Sequence, residues 1–144
     1  MKRVLFLCTG NSVRSQMAEA IVNARAGGEW HAVSAGTRPA GFVHPSALRA
    51  LAEIAIDASA AQCKSIEAFR GESFDLVVTV CDQASEECPL WLGMGIRVHM
   101  GFPDPARTTG SDTEVMAAFR SVRDDIERRT LALLGEWKAD RSNR

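Results

Sequence analysis

Residues 4–24 read VLFLCTGNSVRSQMAEAIVNA, and this stretch decides the fold. It starts with Val4–Leu7, a continuous apolar run of the kind found in a buried strand of a parallel sheet. The small and polar segment Cys8–Arg14 follows as a loop. Apolar residues then recur at helical spacing over about Ser15–Ala26, and Gly27–Gly28 predict the end of that helix. The stretch therefore predicts a strand, a loop and a helix in direct succession.

The same alternation continues along the chain. Further apolar runs, one of them rich in valine, predict strands, and apolar residues at helical spacing predict helices. Ser111–Glu114 is a capping-box sequence, which marks the start of the last helix. The predicted strands are Trp30–Ala35, Phe74–Val80 and Ile96–Met100, and the predicted helices are Pro45–Ile54 and Asp112–Trp137.

This order of elements predicts an α/β fold. We expect a three-layer sandwich in which a four-stranded, mainly parallel sheet carries helices on both faces. A chain of 144 residues suits one hydrophobic core, so a single domain should span residues 1–140. Residues 141–144 should form a disordered tail. The arginines of the last helix, which alternate with carboxylates, are expected on its solvated face.

The overall charge limits the possible partners. The formal net charge is −1, so no basic field favours nucleic acid or an anionic membrane. The first apolar run is too short for a signal peptide, and no stretch approaches the roughly 20 apolar residues of a membrane helix. We therefore expect a cytoplasmic protein. Its four cysteines are then considered first as reactive thiols, next as metal ligands and last as core residues.

One cysteine stands out by its position. Cys8 follows the first strand directly, and Arg14 comes six residues later, where the first helix begins. In an α/β sheet, ligands bind at the carboxyl ends of strands. Inward-pointing N–H groups and the positive end of the helix would favour a thiolate there, with Gly10 providing the tight turn. The hydroxyls of Ser12 and Ser15 can donate hydrogen bonds to the same sulfur.

The loop also suits a tetrahedral oxyanion. The planar guanidinium of Arg14 fits two oxygens of such an anion, and the helix start adds its dipole. The pattern therefore predicts a thiolate nucleophile beside a small-oxyanion site. The alternative is a buried structural cysteine followed by a surface arginine. The predicted oxyanion-binding residues are Thr9, Gly10, Asn11, Ser12, Val13, Arg14 and Ser15.

A candidate acid lies near the carboxyl end of another strand. In Phe102–Pro105, two prolines stiffen a turn around Asp104. A rigid carboxylate at this edge can protonate an oxygen that leaves the anion bound at Cys8. The alternative is an aspartate that only caps a turn.

The sequence Cys8–Glu19 resembles the active-site loop of the low-molecular-weight tyrosine phosphatase fold, and within it the thioredoxin-coupled arsenate reductases. This resemblance implies an enzyme of arsenical resistance that converts arsenate to arsenite in the cytoplasm. It implies catalysis by Cys8, Arg14 and Asp104, with thioredoxin as the external reductant and no bound cofactor. The likeness extends through Ser34–Gly36, Asp75–Cys81, Cys88–Pro89 and Gly101–Ala106.

Two further cysteines fit a disulfide relay. Cys88 lies seven residues after Cys81. If the segment between them is helical, their separation is roughly 10 Å, beyond disulfide reach, so bonding them requires the segment to unwind. The resemblance implies that Cys8 attacks arsenate, that Cys81 attacks Cys8, and that Cys88 attacks Cys81. Core packing and a zinc site are the alternatives, although the short spacing of zinc ligands is missing. Cys63 has no motif around it and is expected to be structural.

The chain departs from the arsenate reductases at two positions. Many of them have a cysteine where this chain has Val13. Some hold a monovalent cation near oxygens of Asn11, Glu19 and Ser34 with a further carboxylate, where this chain has Lys64. Because an ammonium can take the cation's place, we expect no metal.

Two other functions compete with arsenate reduction. A low-molecular-weight phosphotyrosine phosphatase would hydrolyse its substrate through a phosphoenzyme at Cys8. Such enzymes usually have a tyrosine after the Asp-Pro of the acid loop, which is Phe102–Pro105 here. This chain has Ala106 at that position and no tyrosine. A non-catalytic anion- or arsenite-binding protein is the third possibility. Glutaredoxin and a small thiol are alternative reductants.

Overall fold

A computed structural model describes residues 1–82, 93 and 95–142 of the chain. The described elements alternate as the sequence predicts. Two further one-turn 3-10 helices, at Ile66–Phe69 and Pro105–Arg107, were not predicted. In chain order the main elements are β1 (Lys2–Cys8), α1 (Arg14–Arg25), β2 (Trp30–Gly36), α2 (Pro45–Ala52), β3 (Leu76–Thr79), β4 (Ile96–His99) and α3 (Asp112–Ser142).

The four strands form one sheet in the order β2-β1-β3-β4, and every neighbouring pair is parallel. Cys8 at the end of β1 pairs with Gly36 at the end of β2, and Thr79 of β3 pairs with His99 of β4. The carboxyl ends of all four strands therefore lie at one edge of the sheet. The loops that follow them meet at this edge, which confirms the predicted parallel α/β architecture.

The central strand β1 divides the core into two layers. Successive side chains of a strand point to opposite faces. Val4 and Phe6 join a cluster that includes buried residues of all three α-helices. Leu5 and Leu7 join a smaller cluster with Phe69, which comes from the first 3-10 helix. Helical segments thus cover both faces of the sheet.

Most element ends lie within a few residues of the predicted ones. The predicted capping box is present, since Glu114 N–H donates to Ser111 Oγ at 3.2 Å and Ser111 N–H to Glu114 Oε1 at 3.3 Å. β3 is shorter than predicted. α3 continues to Ser142, which includes two residues that we expected in the tail. Among the described residues, no helix combines the length and apolar character required to span a membrane.

Candidate active site

The loop between β1 and α1 is held by the segment 38–44, which runs beside it. The carbonyls of Thr9 and Gly10 accept hydrogen bonds from the backbone N–H groups of Arg38 and Ala40, both at 2.9 Å. The carbonyl of Ser12 accepts one from His44 N–H at 3.1 Å. Because these carbonyls point outward, the loop can turn its N–H groups toward its centre. Such a ring of N–H groups is suited to an anion.

The tight turn of the loop lies at Asn11 and not at Gly10. Asn11 has φ of 50°, in the left-handed region, which asparagine tolerates better than most residues. A Cβ at Gly10 would meet only the Cβ of Ala40, at an ordinary 3.9 Å. The prediction that Gly10 provides the tight turn was therefore wrong, while its predicted role in oxyanion binding stays a prediction. The amide of Asn11 donates to Cys8 Sγ at 3.3 Å, so the left-handed turn directs an N–H group at the sulfur.

The glycine that the loop requires is Gly36. A Cβ at this position would lie 2.5 Å from the carbonyl oxygen of Thr9 and 3.0 Å from the amide nitrogen of Asn11. Both contacts are with backbone, which cannot move without moving the loop. Gly36 lies within the motif that carries the resemblance, but no local pattern in the sequence states why a glycine is needed there.

Hydrogen-bond directions around Asn11 orient Ser15 toward the sulfur. The backbone N–H of Lys64 can only donate, and it lies 2.7 Å from Asn11 Oδ1. Asn11 Nδ2 therefore donates to Ser15 Oγ at 2.8 Å and to Ser34 Oγ at 2.9 Å. Ser15 Oγ is 2.9 Å from Cys8 Sγ. Since Ser15 already accepts from Asn11, its own proton is available for the sulfur, where it would stabilise a thiolate.

The network extends from Ser34 to an ion pair. Ser34 Oγ donates to Glu19 Oε1 at 2.8 Å, and Lys64 Nζ lies 3.2 Å from the same oxygen. The ammonium thus stands where the resemblance would place a cation. In the part of the chain that the structure describes, no cluster of three or more His, Cys, Asp or Glu could hold a metal ion. That no metal binds here stays a prediction.

Two side chains beside the loop differ from expectation. Ser12 Oγ donates to the carbonyl of Phe42 at 2.8 Å, so the prediction that it donates to Cys8 was wrong. Cys63 Sγ lies 3.0 Å from the carbonyl oxygens of both Asn11 and Phe42. Cys63 therefore contacts the loop directly, which its sequence context did not indicate.

The predicted arginine and acid meet on the far side of the loop. Arg14 is buried, and its Nη1 donates to the carbonyl of Phe102 at 3.2 Å. Its Nη2 lies 3.9 Å from Asp104 Oδ2. The other carboxylate oxygen, Oδ1, accepts from Ala106 N–H at 3.0 Å and caps the short 3-10 helix. Asp104 thus caps a turn and also faces the arginine, and its role as an acid stays a prediction.

Cys81 reaches the same edge from β3. It directly follows Val80, whose N–H donates to the carbonyl of Leu7 at 2.9 Å, so it comes from the strand next to that of Cys8. Cys81 is fully buried and disulfide-bonded, whereas Cys8 and Cys63 are free thiols. Cys88 and the segment predicted to join it to Cys81 lie outside the described residues.

Comparisons with known proteins agree with this geometry. Residues 3–143 match the family described as low molecular weight phosphotyrosine protein phosphatase. An arsenate reductase of Halalkalibacterium halodurans is 46% identical over 128 residues, which are 89% of this chain and 91% of that protein. A solved arsenate reductase in the phosphate-binding state superimposes with a TM-score of 0.79 at 31% identity, over 94% of this chain and 98% of that one. A thioredoxin-dependent arsenate reductase of Corynebacterium glutamicum gives a TM-score of 0.70 at 25% identity, over 97% of this chain and 63% of that one.

Proposed function

Because this chain belongs to the low-molecular-weight phosphotyrosine protein phosphatase family, and its 46% identical relative from Halalkalibacterium halodurans is an arsenate reductase, we propose that it reduces arsenate to arsenite at Cys8. The observation that carries this proposal is that Cys8, Arg14 and Asp104 lie at the same edge of the sheet as Cys81, which follows β3. A phosphatase needs the first three residues only. The additional cysteine at the edge favours a redox reaction.

In the first step, the oxyanion binds to the N–H groups of the loop and to the guanidinium of Arg14. The Cys8 thiolate, stabilised by Ser15 Oγ and Asn11 N–H, attacks arsenic and forms a sulfur–arsenic bond. One arsenate oxygen leaves as water and takes its proton from Asp104, which is the general acid. Arsenic stays in its +5 state in this step.

The reduction follows by thiol exchange. The Cys81 thiolate attacks Cys8 Sγ, the sulfur–arsenic bond breaks, and its electron pair stays on arsenic, which leaves as arsenite. A Cys8–Cys81 disulfide remains. Cys88 then attacks Cys81, so that Cys8 is released as a thiol and the disulfide passes to Cys81–Cys88. A dithiol such as thioredoxin finally reduces the Cys81–Cys88 disulfide by a further exchange and is itself oxidised to a disulfide.

One comparison bears on the reductant. The similarity to a thioredoxin-dependent arsenate reductase supports a thioredoxin-type reductant. We further propose that the reaction takes place in the cytoplasm, where such reductants keep thiols reduced.

Phosphotyrosine hydrolysis is the second candidate, because the family as a whole is described by that activity. Ala106 follows the acid loop and is exposed, and the chain has no tyrosine to support an aromatic substrate there. The deciding experiment is arsenate-dependent NADPH oxidation with thioredoxin and thioredoxin reductase, run beside hydrolysis of an aryl phosphate. We expect the first reaction to be efficient and the second to be slow. Efficient phosphotyrosine hydrolysis without arsenate reduction would replace our proposal.

A further inference from the structure

Two arginines hold consecutive carbonyls of the segment that leads to Asp104. Arg14 ends the loop between β1 and α1 (Cys8–Arg14, the oxyanion loop), and its Nη1 donates to the carbonyl of Phe102. Arg129 Nη1 donates to the carbonyl of Gly101 at 3.1 Å from α3. The segment is thus held from the side of the substrate by one arginine and from the side of the last helix by the other.

Arg129 makes a second contact with the same segment. Its guanidinium carbon lies 4.6 Å from the centre of the Phe102 ring, within range of a cation–π interaction, and that ring is fully buried. Asp125, one helical turn earlier, lies 3.3 Å from Arg129 Nη1 and directs the guanidinium. Arg129 therefore contacts both the backbone of Gly101 and the side chain of Phe102.

The chain enters the turn at Asp104 directly after these two contacts. Prolines 103 and 105 fix their own φ angles and restrict their neighbours, so the turn behaves as a stiff unit. The position of a stiff unit depends on where the chain enters it, which is at Gly101 and Phe102. Arg14 takes part in oxyanion binding under the proposed function, whereas Arg129 has no such task.

We propose that Arg129 is a positioning residue for the general acid: it anchors Gly101 and Phe102 so that Asp104 meets the oxygen leaving from the anion at Cys8. The proposal rests on the acid role of Asp104 in the proposed function. Arg129 was expected on a solvated face of the last helix, and its contacts with the acid loop correct that expectation.

The helix supplies a matched control. Arg128 is the preceding residue, is more exposed than Arg129, and pairs with the other oxygen of the same Asp125. Among the described residues, Arg128 makes no hydrogen bond, ion pair or ring contact with the acid loop. Arg128→Gln therefore removes the same charge and breaks an ion pair with the same carboxylate, but removes none of the hydrogen bonds that hold the acid loop.

The test measures kcat/KM for arsenate and the inhibition constant of phosphate. Arg129→Gln should lower kcat/KM by roughly tenfold, a part of the roughly 10²–10⁴-fold that a positioned acid supplies. Its phosphate inhibition constant should stay within about twofold, because the oxyanion loop is intact, and Arg128→Gln should change neither value. In an Asp104→Asn background, Arg129→Gln should cause no further loss, because both changes remove the same contribution. Arg129→Lys keeps a positive charge over Phe102 but loses the planar guanidinium, so its kcat/KM for arsenate should fall by about threefold. In the Asp104→Asn background it should again cause no further loss. This variant keeps the test decisive if Arg129→Gln does not fold.

The outcomes separate this inference from the proposed function. An equal loss from Arg129→Gln in both backgrounds would show a general structural role and overturn the inference. If the phosphate inhibition constant of Arg129→Gln rose by the same factor by which kcat/KM fell, the effect would lie in oxyanion binding, and the inference would be overturned as well. If Asp104→Asn strongly lowered kcat/KM but Arg129→Gln left it unchanged, the inference alone would be overturned. Normal activity of Asp104→Asn would remove the acid itself and the inference with it.

Discussion

Ser15 Oγ lies 2.9 Å from Cys8 Sγ. Because the side-chain amide of Asn11 donates to Ser15 Oγ, the hydroxyl proton of Ser15 is available to point at the sulfur. The direction follows from the backbone N–H of Lys64, which fixes the orientation of the Asn11 amide. Lys64, which is far from the loop in sequence, thus helps to orient the hydroxyl group that faces Cys8 Sγ.

Ser15→Ala should slow the reaction of Cys8 with iodoacetamide at neutral pH by about tenfold or more, since a hydrogen bond to a charged group contributes about 1.5–3 kcal/mol. Ser15→Thr keeps the hydroxyl and serves as the control. The measurement is the alkylation rate of Cys8, followed by mass spectrometry of the intact protein in a Cys63→Ser background. An unchanged rate in Ser15→Ala would mean that the serine does not stabilise the thiolate.

Gly36→Ala should damage the oxyanion loop, whereas Gly10→Ala should be nearly neutral. A Cβ at residue 36 would collide with backbone of Thr9 and Asn11, but a Cβ at residue 10 has room. We expect phosphate binding to weaken by at least about fivefold in Gly36→Ala, because overpacking typically costs about 1–3 kcal/mol and 1.4 kcal/mol is about tenfold in affinity. Isothermal titration calorimetry measures the dissociation constant of phosphate for each variant. Equal affinities of the two variants would refute the steric argument.

Arsenate reduction by the wild type should be insensitive to replacement of potassium by tetramethylammonium, because Lys64 Nζ already stands beside Glu19. Lys64→Ala should lower kcat/KM for arsenate, and added potassium should restore part of that loss. Lys64→Arg, which keeps the charge, is the control. A wild type that requires potassium would show that the ammonium does not take the place of a cation.

The helices α2 and α3 are joined by a carboxylate with an unusually low pKa. Hydrogen bonding to Arg120 above all, and then to Arg123, lowers the pKa of Glu53 from 4.5 to about 2. A group with a lowered folded-state pKa stabilises the protein above its unfolded-state value, and that contribution disappears as the pH falls through the folded-state value.

The melting temperature of Glu53→Gln should therefore lie below that of the wild type at pH 7. The difference should shrink as the pH falls from about 4.5 toward 2. Glu67→Gln removes an exposed carboxylate paired with Arg70 three residues away, and it controls for the change in net charge. Melting curves between pH 3 and 7 provide the comparison. A difference that grew on acidification would have the wrong sign for this account.

The fold could be predicted because each element has a local signal. The run Val4–Leu7, the loop at Cys8 and the helical spacing after Ser15 follow one another without interruption, and a parallel sheet is the usual way to bury such a strand. The parallel sheet then places Cys8 and Asp104 at one edge. The sequence could therefore place Cys8, Arg14 and Asp104 close together, while their roles as nucleophile, anion ligand and acid stay predictions.

The remaining contacts had no local signal. Gly36, the segment 38–44 and Cys63 act on the oxyanion loop across long sequence separations, and their contacts depend on how distant parts of the chain pack. Arg129 has the spacing of a surface helix residue, so its pattern could not distinguish solvent from the acid loop. Gly10 was given the role of Asn11 because sequence alone favours glycine for a left-handed turn.

The most direct test of the proposed relay uses reduced Cys88→Ser with one equivalent of arsenate. The account predicts one turnover, release of arsenite, and a protein trapped with a Cys8–Cys81 bond, which peptide mass spectrometry after alkylation identifies. Cys63→Ser is the matched control and should turn over repeatedly with thioredoxin. Repeated turnover by Cys88→Ser at the wild-type rate, with no trapped Cys8–Cys81 bond, would contradict the relay.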